Sequence, residues 1–352
     1  MYTASMHEEK HRGPGLTDIA ADAGVSIATV SRVINASAYV KPDVALRVRT
    51  SITRLGYVRL RSARNAGGDR SPLVGLMLPD IENPYFASLI KGVQSVATTM
   101  GLDIALAEPG AEPSFAAESL ARLIDRRVAA ILVVAPKGFE SACGRIDSDA
   151  SRAGIPVVYM DRRVKPDGIN FVGSENYMGA CNAAAYLCSL GHRDILYLAG
   201  SRGLSTETER RSGFLDGLAA AGIRDSAALD GLFELCDFSL DEAYAAVRRR
   251  IATGLDFSAV FAADDYMAYG ALTALREAGL RVPEDVSLVG FDDLPFSSMF
   301  GLTTVRQQAY EIGVAAITMA LDIAAGRRKG PQSVILSTSL VIRGSCSIRA
   351  PA

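Results

Sequence analysis

Carboxylate, guanidinium and aromatic side chains recur just beyond apolar runs in this 352-residue chain, where strand ends deliver side chains to a common cleft. Asn83, Tyr85 and Phe86 begin a helical segment after the first such run. Asp161 and Arg162 follow a later one, Arg210 is expected to open a helix, and Asp264, Asp292 and Gln307 follow later runs. Carboxylates accept and guanidinium groups donate in pairs, which matches vicinal hydroxyls, and an aromatic face covers the apolar side of a sugar ring. Phe238 adds a second ring surface, so the set suits a neutral polyol. Each member also has a plainer reading. Asp292 in GFDD caps a loop, Asn83-Pro84 is a common turn and helix start, and Arg210 and Arg211 compete for one role.

A second chemistry lies at the other end of the chain. Residues 16 to 35, LTDIAADAGVSIATVSRVIN, read as two short helices joined by a tight turn. Thr17 is a good first N-cap, Ile19, Ala20 and Ala23 make an apolar stripe, and Gly24 ends the helix where a positive φ is cheap. Ser26 can cap the next helix, whose Val30, Val33 and Ile34 face inward while Ile27, Ala28, Ser31 and Arg32 stay on the outer side. A helix-turn-helix places such an outer face in the major groove of DNA. The plainer alternative is a solvated helical face.

Charge separates the two regions. Residues 1 to 70 hold 11 Lys+Arg against 6 Asp+Glu, leaving 26 against 33 of the chain totals of 37 and 39 for the remainder. The net charge of −2 therefore hides a basic head on an acidic body, so a polyanion would meet the head. A hydrophobic fraction of 49% with 22% charged residues is an ordinary globular balance for two or three domains. No apolar run is long enough to span a bilayer, and Glu8, Glu9, Lys10 and Arg12 stand where a secretion signal would have its apolar core, so a cytoplasmic location is expected. The five cysteines, Cys143, Cys181, Cys188, Cys236 and Cys346, show no CxxC spacing and read as reduced, small hydrophobes. His7 and His11 have i, i+4 metal spacing but no helical pattern around them, and His192 sits in a helix-to-strand turn. Neither a metal site nor a cofactor is expected.

The elements that must position these groups follow from periodicity. The first 15 residues read as a disordered tail. Pro42 suits a first helical turn, and Val44, Val48, Ile52 and Leu55 recur at helical spacing up to Gly56, with Arg47, Thr50 and Arg54 on the other face for phosphates or solvent. YVRLRSARNAGGDR, residues 57 to 70, reads as a basic linker. From Leu73, strands and helices alternate: LVGLML, LDIALA, VAAILVV and IPVVY in one series, then INFVG, DILYLAG, FSAVFAA and DVSLVGF in a second. Phe86, Leu89, Ile90, Val93 and Val96 mark one intervening helix. The fold class is α/β: an all-α head and two doubly wound parallel lobes, with a ligand cleft beyond the strand C-terminal ends.

In order and spacing, AGVSIATVSRVIN, LPDIENPYF, DRRV, GHRDI, RRSGF, FAADDYMAYGAL, VPEDVSLVGFDD and LTTVRQ together resemble the lac repressor/galactose repressor (LacI/GalR) family of bacterial transcriptional regulators over residues 16 to 345. The resemblance implies a homodimer on a pseudo-palindromic operator, with a periplasmic-binding-protein-like core that senses a small molecule. By it, Ile27, Ala28 and Arg32 take the base-reading positions, Arg32 suited to guanine N7 and O6 and the other two to thymine methyls. Thr17, Ser26, Thr29 and Asn35 take backbone-positioning places. The hinge departs from the family pattern. Arg59 and Leu60 replace the usual Pro-Asn, and Ala66 stands where a leucine wedge is expected, so Arg59, Arg61 and Arg64 are expected to supply more of the affinity electrostatically. The cleft residues are similar, position by position, to the pocket of ribose-binding proteins, with Asp264 for their asparagine and Tyr85 for a phenylalanine. A monosaccharide effector follows from that similarity. A nucleobase is the alternative, since purine repressors share the scaffold, but Leu204 stands where that branch has an arginine.

The expected division is a tail at 1–15, a DNA-binding head at 16–57, a hinge at 58–72 and a core at 73–352. Within the core, one lobe comprises about 73–170 with 305–329, and the other 171–304 with 330–352. Two rival classes fare worse. An enzyme lacks GxGxxG after the first strand and GxxxxGK[ST] anywhere, GSRG after DILYLAG being only a weak phosphate-loop imitation. A sugar-binding protein without a DNA role leaves the basic head unexplained. Lobe closure is expected to re-space the two heads of the dimer, which links ligand and operator reciprocally.

Overall fold

Burial on both faces makes the central strands of this chain near-continuous apolar runs, and helices cover them on either side. The computed structural model describes residues 16–35, 39–55, 71–110, 113–165, 168–223, 231 and 233–349, with the side chains of residues 34, 35 and 113 left aside. It divides into two units, residues 1–67 and 68–352. The first 15 residues, His7 and His11 among them, and the hinge positions Arg59, Arg61, Arg64 and Ala66 lie outside the described residues.

The first unit contains α1 (Leu16–Ala23), α2 (Ile27–Asn35) and α3 (Pro42–Leu55). Its core is small: Ile19, Ala20, Ala23, Val30 and Val48 are buried, with Leu16, Val25, Val33, Ile52 and Leu55 packed around them. Because α1 already includes Leu16, Thr17 lies inside its first turn and does not serve as its N-cap. Arg54 pairs with Asp22 of α1, so this residue of the outer face of α3 is engaged within the unit.

The second unit holds two six-stranded sheets. In chain order its first elements are β1 (Leu73–Met77), α4 (Pro84–Thr99), β2 (Asp103–Ala107), α5 (Pro113–Asp125), β3 (Ala130–Val133), α6 (Glu140–Arg152), β4 (Val157–Met160) and β5 (Phe171–Ser174). There follow α7 (Asn176–Ser189), β6 (Ile195–Ala199), α8 (Ser205–Ala220), β7 (Phe233–Leu235), α9 (Leu240–Thr253), β8 (Ala259–Ala262), α10 (Asp265–Glu277), β9 (Ser287–Asp292) and β10 (Thr303–Arg306). The last are α11 (Ala309–Ala324), β11 (Ser333–Leu336) and β12 (Ser339–Val341). The first sheet runs β11-β5-β4-β3-β1-β2 and the second β12-β10-β9-β8-β6-β7. Every pairing is parallel except β10 with β12, which caps an edge of the second sheet.

This pairing corrects the lobe boundaries expected from sequence. INFVG, placed in the second series, supplies β5, which pairs with β4 through Tyr159↔Phe171 and Met160↔Val172 in the first sheet. Thr303–Arg306 pairs with β9 in the second sheet, and Ser333–Leu336 pairs with β5 in the first. An apolar run signals a strand but carries no address for its sheet. The chain consequently passes between lobes three times, after Ser174, after Arg306 and after Leu336.

Each lobe has its own core. In the second, Tyr197, Phe214 and Phe261 form an aromatic centre, the Phe214 and Phe261 rings stacked at 5.1 Å. The faces of the first sheet bury Leu76, Leu89, Leu132 and Ile312 on one side and Leu120, Ile131, Phe139 and Tyr159 on the other. His192 bridges the Ser258 hydroxyl (3.0 Å) and the Ser347 carbonyl (3.1 Å), which fastens the C-terminal segment to the second lobe. All five cysteines are free thiols, with Cys143, Cys188 and Cys236 buried.

Candidate functional site

In the first unit, the sequence signals of a turn are met atom by atom. Gly24 has φ +62°, and the Val25 N–H donates to the Ala20 carbonyl at 3.0 Å, closing α1. A side chain at that φ costs about 1 kcal/mol or more. Ser26 caps α2: its Oγ accepts from the Thr29 N–H at 3.2 Å and bonds the Thr29 hydroxyl at 2.9 Å. With α2 so anchored and Val30 buried, Ile27, Ala28 and Arg32 are left exposed on one helical face. Ile27 is 48% exposed there. Thr17 is exposed nearby in sequence, and Asn35 ends α2.

The ten cleft residues named from sequence line one cavity in the second unit: Asn83, Tyr85, Phe86, Asp161, Arg162, Arg210, Phe238, Asp264, Asp292 and Gln307. Thr206 completes the lining, unnoticed in the sequence because a threonine in the first turn of a helix carries no signal of its own. The cavity holds about 20 Å³, room for about one water.

From the first lobe, Asn83 caps α4 by accepting from the Tyr85 N–H at 3.0 Å. That cap aims Tyr85 and Phe86 into the cleft at an edge-to-face 5.3 Å. The Tyr85 hydroxyl donates to Asp161 at 2.9 Å, and burial with the neighbouring Asp161 holds its pKa well above the phenol range, so it remains a donor. Asp161 follows β4 at φ +61°, where the Arg162 N–H reaches back to the Met160 carbonyl at 2.6 Å, a tight and strained turn. Arg162 places its Nε 3.8 Å from Asp161 and donates from Nη1 to the Ala135 carbonyl at 3.2 Å.

In the second lobe, Arg210 lies in the second turn of α8 and does not open it. The competition with Arg211 is resolved by burial: Arg211 stacks on Phe233 at 4.3 Å, whereas Arg210 is 3% exposed and its guanidinium lies 4.0 Å over the Phe291 ring. Arg210 donates to Asn176 Oδ1 at 2.9 Å and to the Ala263 carbonyl, and stands 3.8 Å from Asp292. Phe238, at φ +61°, lays its ring over Gly200, where a Cβ would come within 2.1 Å. The glycine of GSRG therefore seats an aromatic ring, which accounts for it without a phosphate.

Two Asp-Asp pairs divide their labour in the same manner. Asp264 faces the cleft and caps α10 through the Met267 N–H (2.7 Å), while Asp265 behind it is fully buried and accepts from Leu294 N–H (2.8 Å) and the Ser297 and Thr304 hydroxyls. Asp292, at φ +122°, faces the cleft and accepts from the Gln307 amide at 2.6 Å, while Asp293 is gripped by Arg306 (2.7 Å) and Arg343 (2.6 Å). Burial pushes Asp264 up to about 6 and Asp265 up to about 7, and holds Asp292 well above the ordinary carboxylate range. Across the cleft, the Asn83 amide reaches Asp264 at 3.4 Å, the Arg163 N–H donates to the Ser205 hydroxyl at 2.8 Å, and Lys137 stands 4.0 Å from Asp237. Among the described residues no group of three His, Cys, Asp or Glu could hold a metal, and no helix is long and apolar enough to cross a membrane.

Residues 15–59 match the family model described as bacterial regulatory proteins, lacI family, and residues 184–346 match a periplasmic binding protein-like domain. The chain is 32% identical to the HTH-type transcriptional regulator CelR of Thermobifida fusca, over 96% of this chain and 99% of that one. It is 31% identical to the HTH-type transcriptional repressor PurR of Yersinia enterocolitica (94% and 96%), and 29% identical to the ribose operon repressor of Halalkalibacterium halodurans (93% and 96%). Among solved structures, a lac repressor bound to ONPG matches in fold with a TM-score of 0.80 at 24% identity, over 95% of this chain and 100% of that one. A LacI family regulator from Enterococcus faecium with bound ribose matches with a TM-score of 0.70 at 25% identity, over 79% and 100%.

Proposed function

Because the chain belongs to the lacI family of bacterial regulatory proteins, we propose that it is a homodimeric repressor whose hold on operator DNA is set by a small polyhydroxylated ligand, a monosaccharide of ribose-like type, clamped between its lobes. The observation that carries the ligand reading is the convergence of three carboxylates, two guanidinium groups and three aromatic rings on one cavity from both lobes. Such a set offers paired acceptors and donors to adjacent hydroxyls and a ring face to the carbons between them. The ribose operon repressor and the ribose-bound regulator among the relatives support the same reading. A nucleobase is disfavoured by Leu204, which is buried at the N-cap of α8 and offers no donor there.

In the head, Arg32 reads a guanine while Ile27 and Ala28 touch thymine methyls, and Thr17, Ser26, Thr29 and Asn35 position the backbone. The hinge arginines Arg59, Arg61 and Arg64 add an electrostatic, salt-dependent share, with Ala66 too short to wedge a base step. A second copy of the chain is supported by apolar side chains left in water: Phe296, Met299 and Phe300 on the second lobe, and Met100 and Leu106 on the first. No part of this reading calls for catalysis.

The test is operator binding by the purified chain with and without pentoses and hexoses. One sugar is expected to change the affinity for a specific duplex, and Asp292→Ala to abolish that response while sparing DNA binding. Indifference to duplex sequence in the presence of every sugar tried would sink the proposal. Arg32→Ala should lose about 1–3 kcal/mol of discrimination at one base pair per half-site. A uniform loss on all sequences, read by competition binding, would make Arg32 a phosphate contact.

A further inference from the structure

Resting on the polyol reading, we propose that the cleft's ligand carries one positive charge: it is a polyhydroxylated amine, an amino- or iminosugar, whose ammonium lies against Asp264 and Asp292. The cavity lining holds three carboxylates, Asp161, Asp264 and Asp292, and two guanidinium groups, Arg162 and Arg210. Two of the three carboxylates have a cation assigned to them. Asp161 has Arg162 at 3.8 Å together with the Tyr85 hydroxyl, and Asp292 has Arg210 at 3.8 Å together with the Gln307 amide. Asp264 has no ion pair among the described residues. Its partners are the Met267 N–H and, at 3.4 Å, the Asn83 amide. It is 2% exposed, so water does little to screen it.

The surroundings deepen the surplus. Asp265, directly behind, is a further buried carboxyl, and the charged pair at the cleft's edge, Lys137 with Asp237, cancels itself. Glu209 is bound by Asn176 at 3.2 Å and adds no positive charge. Among the lining groups alone the excess is one negative charge, to be met by a proton or by a cation, and burial, which raises Asp264 and Asp292, favours the proton while no cation is at hand. An ammonium supplies the cation, exchanging for that proton.

The hydrogen-bonding inventory adds that the ligand must present a donor. Gln307 is 6% exposed and lines the cavity, and its Oε1 has no partner in the structure. Its amide nitrogen is already committed to Asp292, so this carbonyl can only be met by an N–H or O–H donor. Together with Asp264 Oδ2, whose contact with the Asn83 amide is a long 3.4 Å, it leaves acceptors that an ammonium flanked by hydroxyls satisfies. A sugar phosphate or sugar acid would instead add anions to an acidic cavity.

The experiment compares pairs that differ only in the cationic group: 1,4-dideoxy-1,4-iminoribitol against 1,4-anhydroribitol, deoxynojirimycin against its ring-oxygen isostere, and glucosamine against glucose. Binding to the full-length protein is read by calorimetry and thermal shift at neutral pH. In at least one pair the amine should bind about tenfold or more tightly than its neutral partner. Asp264→Asn keeps a carbonyl to cap α10, so it should fold and bind both members alike, erasing the preference. Neutral sugars binding as tightly as the amines, or a preference that survives in Asp264→Asn, overturns the charge assignment and leaves the polyol reading intact. Binding by neither series, with a nucleobase such as hypoxanthine binding instead, overturns both.

Discussion

The two lobes meet the cleft on unequal terms, although each is a six-stranded sheet with its own core. The first brings the aromatic surface of Tyr85 and Phe86 and a balanced pair, Asp161 with Arg162, whose guanidinium is partly exposed. The second brings two carboxyls, Asp264 and Asp292, against one guanidinium that is almost fully buried. Similar scaffolds thus divide the task, one supplying shape and the other charge. The second lobe depends on its cleft residues for its own integrity, because removing the one guanidinium it gives to the cavity lining strands anions in a medium that cannot solvate them.

The most severe way to break this contrast is Arg210→Ala. It deletes the bonds to Asn176 and Ala263 and the charge opposite Asp292, and is expected to cost about 3–5 kcal/mol. Arg162→Ala in the first lobe should cost less, because Arg162 gives up one hydrogen bond, to the Ala135 carbonyl, and its side chain is 14% exposed against 4% for Arg210. Denaturant titration of both variants compares the lobes directly, and equal losses would erase the distinction.

A pH dependence sharpens the contrast next. Glu207 in α8 is 4% exposed, accepts from the Gly200 N–H at 2.7 Å, and lies beside the buried Tyr197 hydroxyl. Burial raises it from 4.5 to about 7. A carboxyl raised on folding contributes most stability below its unfolded pKa and loses it as pH climbs through the folded value. Stability should therefore fall between about pH 4.5 and 7 and level off above, by at most roughly 3 kcal/mol from this group. Glu207→Gln should flatten that slope in thermal melts, and an unchanged slope would assign it to other groups. The smallest effect is expected from Tyr85→Phe, which removes one hydrogen bond to Asp161. It should cost about 1 kcal/mol of stability, with ligand affinity reduced more than the melting temperature suggests.

Sequence periodicity was sufficient wherever one force dominates. The head is legible because a short apolar stripe, a glycine at positive φ and a serine cap leave one arrangement of α1 and α2, and the buried strands because both of their faces are covered. Of the four edge strands only β2 was legible. β7, β11 and β12 are three or four residues long with exposed positions, so neither alternation nor an apolar run marks them. The assignment of β5 to the first sheet depends on contacts far apart in sequence. In the cleft, residue types and their places after strands named ten of eleven lining positions. The left-handed backbone at Asp161, Phe238 and Asp292, which aims them, has no sequence signature because these are not glycines. The same holds for the division of work within each Asp-Asp pair, which only the positions of Thr304, Ser297, Arg306 and Arg343 reveal.

The threefold passage of the backbone between lobes has a consequence for biogenesis. β11 and β12, separated by two residues near the end of the chain, complete the border of both sheets at once. During translation neither half can finish its hydrogen-bonded ladder until this segment has left the ribosome, so the halves mature together at the last moment. A premature stop upstream of Ser333 would injure both halves in one stroke.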